Sequence, residues 1–578
     1  MRTTLPMACV MGLAMLGLAA PAANPAGAGR EDGVCSTLLA ALKAELARSF
    51  DALRNAEPDP LYYLGYEVHD TSRFYVAAAL GALYAESRDQ DRVLTVDARI
   101  GSPAFDNTHQ IKGPAGFSDW PSVKRGDICR DGDEAAIRSE VWLLTDSAYK
   151  QARERYTKVK TNRSVTADEQ DKSDDFSAAT PVRAAEPARP MEPDAEAWKE
   201  RVRRLSLVFK KHPFILASTV NMTADTENRY ILNTEGTEIV AGRAHLVLSY
   251  SIGGRTDDGM DLHRHRSYHG DRESDIPDDA AIVLDMEQSA AELEALLKAP
   301  LVEPYCGPAI FKARAAGVYF HEIMGHRLEG HRQKLEAEGQ TFTKKIGRPV
   351  TSTLLSVCDD PTMARWLDGR YLNGFYKYDD EGVPAQRVVL IENGVLRGFL
   401  MSRSPIEEFP LSNGHGRRSA GMPIVARQGN LIVSASKTVS REHLRDMLIA
   451  EIRRQNKPCG LVFEDVSGGF TSTRRGAGQS FQVTPLLVRR VFPDGRPDEV
   501  VRGVNIVGTP LASFTKIIAA GDDPDIFNGM CGAESGWVNV SAVSPSLLFS
   551  EIEVEKKQTA SEKPPILPPP CHDQEAGK

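Results

Sequence analysis

The sequence predicts an α+β protein: a mixed α/β N-terminal domain followed by a strand-rich C-terminal domain of barrel-like or sandwich-like build. Three observations carry that expectation. Apolar β-branched runs broken by turn pairs crowd the second half of the chain. Helical stretches are few and scattered. Two segments poor in large apolar residues punctuate the rest. At 578 residues, and about 150 per domain, three or four domain-sized units are expected. Hydrophobic residues at 41% and charged residues at 26% exclude wholesale disorder, collagen and a disulfide-dense miniature scaffold. The 70 basic and 79 acidic residues leave a net charge of −9, which lacks the basic footprint of a nucleic-acid binder.

The N-terminus reads as a signal peptide over residues 1–28. Met1-Arg2 precedes a nearly uninterrupted apolar stretch from Leu5 to Ala20, and Ala20-Pro21-Ala22 or Ala26-Gly27-Ala28 offers a small-residue cleavage pattern. The mature protein is therefore expected to be secreted or periplasmic, with no membrane span after cleavage. Of eight cysteines, Cys9 lies in this leader. The remaining seven are an odd number for an oxidising compartment, so at least one thiol is unpaired, intermolecular or held by a metal.

Residues 30–160 form an N-terminal α+β domain that opens with a helix over Cys35 to Arg54. From 161 to 194, Ser, Asp, Ala, Pro and Glu dominate, which predicts a flexible linker or a surface-draped insertion. Residues 195–307 complete the N-terminal and central region, with helices over Trp198–Lys211 and Ser289–Leu297. Residues 308–556 form the β-rich domain. Its first helix runs from Pro308 to about Gly330, and another covers Arg441–Asn456. Hairpins are expected around Asn393-Gly394 and around Pro493-Asp494-Gly495. Residues 557–578 make a Pro-rich tail. His263, His265 and His269 alternate with arginines that would repel a cation, so a solvated strand or loop is expected there. Gly476-Ala477-Gly478 reads as a β-turn, because no Lys-Ser/Thr follows to complete a phosphate loop.

The chemistry concentrates on His321-Glu322-Ile323-Met324-Gly325-His326, at the boundary between the two domains. Two imidazoles beside a carboxylate suit a metal with an adjacent base. The spacing is one residue too long for a regular helix. Positions four apart differ by roughly 40° and share a face, whereas positions five apart differ by roughly 140°. A π-bulge beside Gly325 would absorb the extra residue. With one bulge, Glu329 falls roughly 20° from His321 and can approach the metal or orient a ligand; His331 can do so only if the helix stops at Gly330. Arg417 and Arg418 could anchor a peptide carboxylate, or equally form structural salt bridges.

Further motifs surround that helix: Leu328-Glu329-Gly330; Asp379-Asp380-Glu381-Gly382-Val383-Pro384; Val389 to Gly398; Asn413-Gly414-His415-Gly416-Arg417-Arg418; Gly468-Gly469; and Gly529-Met530-Cys531-Gly532. Together they resemble the TldD/PmbA metallopeptidase family, once named modulators of DNA gyrase, in its catalytic TldD-like type. They follow the family order across about 310–555, with a looser match before that. The resemblance implies that His321 and His326 bind zinc, that Cys531 is the third protein ligand and that Glu322 is the general base, with one Zn2+ per chain. It also implies a peptide or unfolded-protein substrate and a homodimer, or a heterodimer with a PmbA-like subunit. His331 departs from the acidic residue common at its position, and a signal peptide is unusual for a family best known from the cytoplasm. The rival reading is an exported, non-catalytic binding or assembly subunit that keeps the fold.

Overall fold

The computed structural model describes residues 31–111, 123–165, 171–187, 191–475, 481–507, 510–557 and 565–567. The expected signal peptide, the Gly476 turn and nearly all of the Pro-rich tail lie outside the described residues. Helices and extended sheets alternate through the chain, an α+β architecture as expected. No described helix is long and apolar enough to cross a membrane.

One eight-stranded sheet organises the first half. Its centre is the long hairpin Leu61–Ala79 and Ala82–Ser102, which turns at Leu80-Gly81 with φ of 50° and 89°. Strand Leu61–Ala79 then pairs with Ala217–Asn233, which pairs with Glu238–Arg255 and so with Asp261–Gly270. The sheet thus joins residues 61–102 to 217–270, and the segments expected at 30–160 and 195–307 form one unit.

Alternation decides what each face of this sheet meets. Leu64, Tyr66, Val68, Phe74 and Val76 point to one side and are buried. Helices Glu31–Leu53 and Glu134–Val165 cover one end of that side, and Ala195–Ser206 and Asp279–Lys298 cover the other. Asp194 and Asp278 cap the last two helices by accepting from the Ala197 and Ala281 amides. The opposite side carries Tyr63, Glu67 and His69, with Glu227, Arg229 and Arg243 on neighbouring strands, and it meets the C-terminal domain. Arg418 donates to Glu67 at 2.6 Å, and Arg229 pairs with Asp380.

Within the segment expected to be a flexible linker or surface-draped insertion, residues 171–187 are docked. Helix Glu134–Val165 runs into it, and Arg183–Glu186 adds a parallel strand beside Glu238 to Ala241. Between them Phe176 is buried, with the guanidinium carbons of Arg99 and Arg403 each 3.8 Å from its ring centroid. Ser177 accepts from Arg403 and donates back to its carbonyl, while Asp175 pairs with His109 at 2.8 Å. Composition undervalued these three residues because their partners lie far away in sequence. The helices of this half also differ from expectation. Asp279–Lys298 starts ten residues before Ser289, and the 32-residue Glu134–Val165 helix was not anticipated.

The C-terminal domain consists mainly of two sheets with a helix between them. A six-stranded sheet contains Leu355–Asp359, Asn430–Ala435, Gly536–Ser544 and, at its edge, Asp525–Ala533. A seven-stranded sheet contains Tyr305–Phe311, Gly460–Thr471, Phe481–Val491 and Leu547–Lys556. Helix Ala313–Ile323 lies between them, and Ala315, Ala316, Val318, Tyr319, Phe320 and Ile323 all join the main core. Gly317 permits this approach: a Cβ there would sit 3.0 Å from the Ala542 carbonyl. The Asn393-Gly394 hairpin forms, although its second arm is only Val395–Leu396. In the later one, Glu499–Val501 pairs with Phe481–Val491, but Val504–Val507 crosses to Leu547–Lys556.

The Glu67–Arg418 pair is almost wholly buried between the domains. Replacing Arg418 with Met leaves a buried carboxylate short of its strongest counter-charge, so a loss of about 3 kcal/mol is expected in urea denaturation. The Glu67→Gln, Arg418→Met double variant should recover most of it. A single-variant loss below about 1 kcal/mol would show that the seam does not depend on this pair.

Candidate functional site

Strand Tyr305–Phe311 delivers the chain to the site. Pro308, expected to open a helix, lies inside that strand instead, at an irregularity between the residues paired with Leu547–Lys556. The helix begins only at Ala313, after Lys312 turns the backbone. It carries His321 and Glu322 in its last turn and stops at Ile323. A 3-10 turn, Gly325–Leu328, then holds His326. This helix end replaces the expected π-bulge: the regular register breaks at Met324, and the chain beyond it sets His326 beside His321. The two rings stand 5.1 Å apart between centroids, inclined at 76°.

Cys531 completes the cluster from the edge strand Asp525–Ala533, opposite Val538 on the adjoining strand. Its Sγ lies 3.3 Å from His326 Nε2. One donor atom from each of His321, His326 and Cys531 falls within 4.8 Å of the others, and all three residues are buried. His321 Nδ1 is buried without a hydrogen-bond partner. Glu322 approaches His326 Nε2 to 4.0 Å.

The electrostatics of the cluster are mutual. Burial pushes the Glu322 carboxyl above the usual carboxylate range, reinforced by Cys531 and Glu329 and opposed by the two imidazoles. Burial would likewise raise the Cys531 thiol, but His326, His321 and Arg427 outweigh it and hold the thiol well below its ordinary value. Burial would lower His326; Cys531 and Glu329 overcome this and hold it well above the usual imidazole range.

The remaining expected residues fall into supporting positions. Glu329 does not reach the donor cluster. It is fully buried on the far side of His326, accepting from Nδ1 at 3.1 Å and from Arg332 Nε at 2.8 Å. Burial would raise its carboxyl, but His326, Arg332 and Arg427 bring it down to about 2. His331 faces away and pairs with Glu534 at 2.5 Å, so it is not a member of the cluster. Arg417 and Arg418 line a cavity between the domains, yet both are engaged. Arg417 donates to the Gln428 and Asn539 carbonyls at 2.7 Å each, and Arg418 pairs with Glu67. His263, His265 and His269 lie on strand Asp261–Gly270, outside the cluster. Cys129, Cys306, Cys358, Cys459 and Cys531, five of the seven expected mature cysteines, are free thiols.

Two residues were not anticipated. Arg427 donates to the Cys531 carbonyl at 2.7 Å and lies 3.5 Å from Glu329. Gln428 donates to the His321 carbonyl at 3.3 Å. Each lies more than 100 positions from the backbone atom it supports, and no local pattern marks either one. Gln428 also explains Gly325, where a Cβ would come within 1.9 Å of its side-chain oxygen.

Two imidazoles, a thiol and a buried carboxylic acid, mounted where a helix ends between two sheets, are donor types that zinc accepts. Residues 305–556 match the family model described as PmbA/TldA metallopeptidase C-terminal domain. The metalloprotease TldD homologue of Haemophilus influenzae is 31% identical over 252 residues, covering 43% of this chain and 48% of that protein. A metalloprotease of Methanothermobacter thermautotrophicus is 26% identical over 57% of this chain and 68% of its own. The zinc metalloprotease TldD homologue of Saccharolobus solfataricus is 22% identical over 43% and 51%. Among solved structures, TldE of Thermococcus kodakarensis shares the fold, with a TM-score of 0.58 at 15% identity over 89% of this chain and all of that one. Residues 305–556 thus form a TldD/PmbA-type C-terminal domain, and the fold over most of the chain is that of the TldE structure. The chain's match spans about half the length of several of these curated relatives.

The depressed Cys531 thiol has a spectroscopic consequence. Metal-free protein at neutral pH should show thiolate absorbance near the ultraviolet edge that Cys531→Ser removes, whereas burial holds the Cys306, Cys358 and Cys459 thiols up. Unchanged absorbance in that variant would refute the charge arrangement. Gly325→Val should displace Gln428 from the His321 carbonyl and cut metal retained after dialysis by about tenfold or more. Full retention would show that the close approach is dispensable.

Proposed function

We propose that this chain is a zinc-dependent peptidase that hydrolyses peptide bonds in unfolded proteins or short peptides outside the cytoplasm. The observation that carries this reading is the convergence of His321, His326 and Cys531 beside the raised carboxyl of Glu322. The donor set fits zinc. The 3.3 Å from Cys531 Sγ to His326 Nε2 approximates the edge of about 3.5 Å expected of a tetrahedron with zinc–sulfur and zinc–nitrogen bonds. Three protein donors leave one position open, and the orphaned His321 Nδ1 is a buried polar atom in need of a partner.

Zinc held there would act as a Lewis acid on the peptide carbonyl and make water acidic enough to attack at neutral pH. The chain's own residues do the rest. Glu322, its proton affinity raised by burial, takes a proton from the attacking water and delivers it to the departing amine. Glu329 fixes the orientation of His326 through Nδ1 and leaves Nε2 turned toward Cys531. Arg427 ties the Cys531 backbone in place. The reading includes assembly as a homodimer, or as a heterodimer with a PmbA-like subunit, in the periplasm or secreted medium.

Purified protein should contain about one zinc per chain and cleave unstructured peptides, with a chelator abolishing cleavage. Glu322→Gln should lower kcat by about a thousandfold or more while leaving the zinc content unchanged. Undiminished turnover in that variant would sink the mechanism, and zinc loss together with activity would make Glu322 a structural group.

A further inference from the structure

The polar face of the N-terminal sheet and the C-terminal domain do not close completely. Between them lies a cavity of about 450 Å³. Strands Leu61–Ala79, Ala82–Ser102 (with Asp91), Ala217–Asn233 and Glu238–Arg255 form one wall; residues from 371–380, 417–420 and 537–539 form the other. It adjoins the donor cluster. Val538, which lines it, packs against Cys531, and Arg417 is joined through Gln428 to the His321 carbonyl.

Most charges in this cavity already have partners. Arg229 pairs with Asp380, Arg418 with Glu67, Lys377 with Glu186 and His69 with Glu227. Arg243 and Arg417 differ: among the described residues neither has a carboxylate within ion-pair distance. Arg243 uses one terminal nitrogen on the Tyr371 hydroxyl and on Asn373, and its buried Nε has no hydrogen-bond partner. Arg417 spends one nitrogen on two backbone carbonyls and lies over the Tyr376 ring. Burial, with Arg427, Arg243 and Arg229 nearby, holds its guanidinium down to about 10. Arg243 has Glu227 across the sheet as a more distant counter-charge, and two guanidiniums without an ion-paired carboxylate in a partly aromatic cavity leave room for an anion.

Resting on the peptidase reading of the adjoining cluster, we infer that this cavity receives a carboxylate of the peptide substrate, with Arg243 as its principal binding group. Arg243 offers its second terminal nitrogen, because the first is taken by Tyr371 and Asn373 and Nε is buried. Arg417 supplies further positive potential without leaving its carbonyl partners. The substrates favoured are peptides with a free C-terminal carboxylate or an acidic side chain close to the bond that is cut.

The test separates binding from hydrolysis. Zinc-loaded Glu322→Gln protein is titrated with one fluorescent, unstructured Ala/Ser peptide as its C-terminal acid and as its amide. A second, amidated pair carries an internal Glu or Gln. The inference expects at least one carboxylate form to bind about tenfold or more tightly than its neutral partner. The pair that discriminates identifies the source. Arg243→Gln, added to this protein, should erase the preference without weakening the neutral peptide, and Arg243→Lys should restore part of it. Equal affinity within both pairs, or no measurable binding of any peptide, would overturn the inference, and because the comparison is between peptides this holds even if the Arg243 variants misfold. Discrimination without hydrolysis by the unaltered enzyme would keep the carboxylate site and reject the peptidase reading; hydrolysis without discrimination would do the reverse.

Discussion

Burying ionisable groups in a tightly packed core is costly unless each finds an opposite charge or a hydrogen bond, and the C-terminal domain is arranged around that requirement. His321, Glu322, His326, Glu329 and Cys531 are each no more than 9% exposed. Cys531 leans on the imidazoles and on Arg427, and Glu329 on His326, Arg332 and Arg427. Arg332 also reaches Glu534, which holds His331. The result is a closed circuit of charge in which few groups can move independently. Such a circuit fixes the donor atoms before any ligand arrives.

The sheet in the first half is covered on both sides, with different chemistry on each. Helices seal its apolar side, while its polar side is satisfied only by the second domain. Glu67, Arg229 and Arg243 find partners on residues 371–380 and on Arg418. Relative motion of the domains would expose these groups to partial pairing, the least favourable condition for a buried charge. The cavity lies within this seam, where Arg243 and Arg417 meet carbonyls, a hydroxyl and a ring rather than carboxylates.

Much of this was legible in the sequence, for reasons that can be named. The α+β class followed from local strand and helix patterns, and helix Arg441–Arg454 starts where Ser440 caps it. The cluster was half legible: His321, Glu322 and His326 announce themselves by spacing, and Cys531 came through family resemblance. Spacing could not tell a π-bulge from a helix that simply ends, because both absorb one residue. Nor could it reveal that Pro308 sits in a strand, since proline opens helices readily too. The supports, Arg427 and Gln428, were invisible because tertiary proximity alone gives them meaning. Residues 171–187 escaped for the same reason: their composition is that of a linker or surface insertion, and only distant partners reveal what the Asp175 and Phe176 side chains and the Ser177 backbone do.

The position of Phe176 between Arg99 and Arg403 has a further consequence. Ordinary connectors tolerate changes of length and composition because the ends they join are held by other contacts. Here the connecting segment is itself a clasp, a ring gripped by one guanidinium from each domain, with Ser177 bonded to the backbone of the second. Both of its ends return to the N-terminal unit, so it is a loop of one body locked onto the other. This stretch behaves as a keystone: a graft of neutral spacer residues would preserve chain continuity while removing the wedge against which both halves bear.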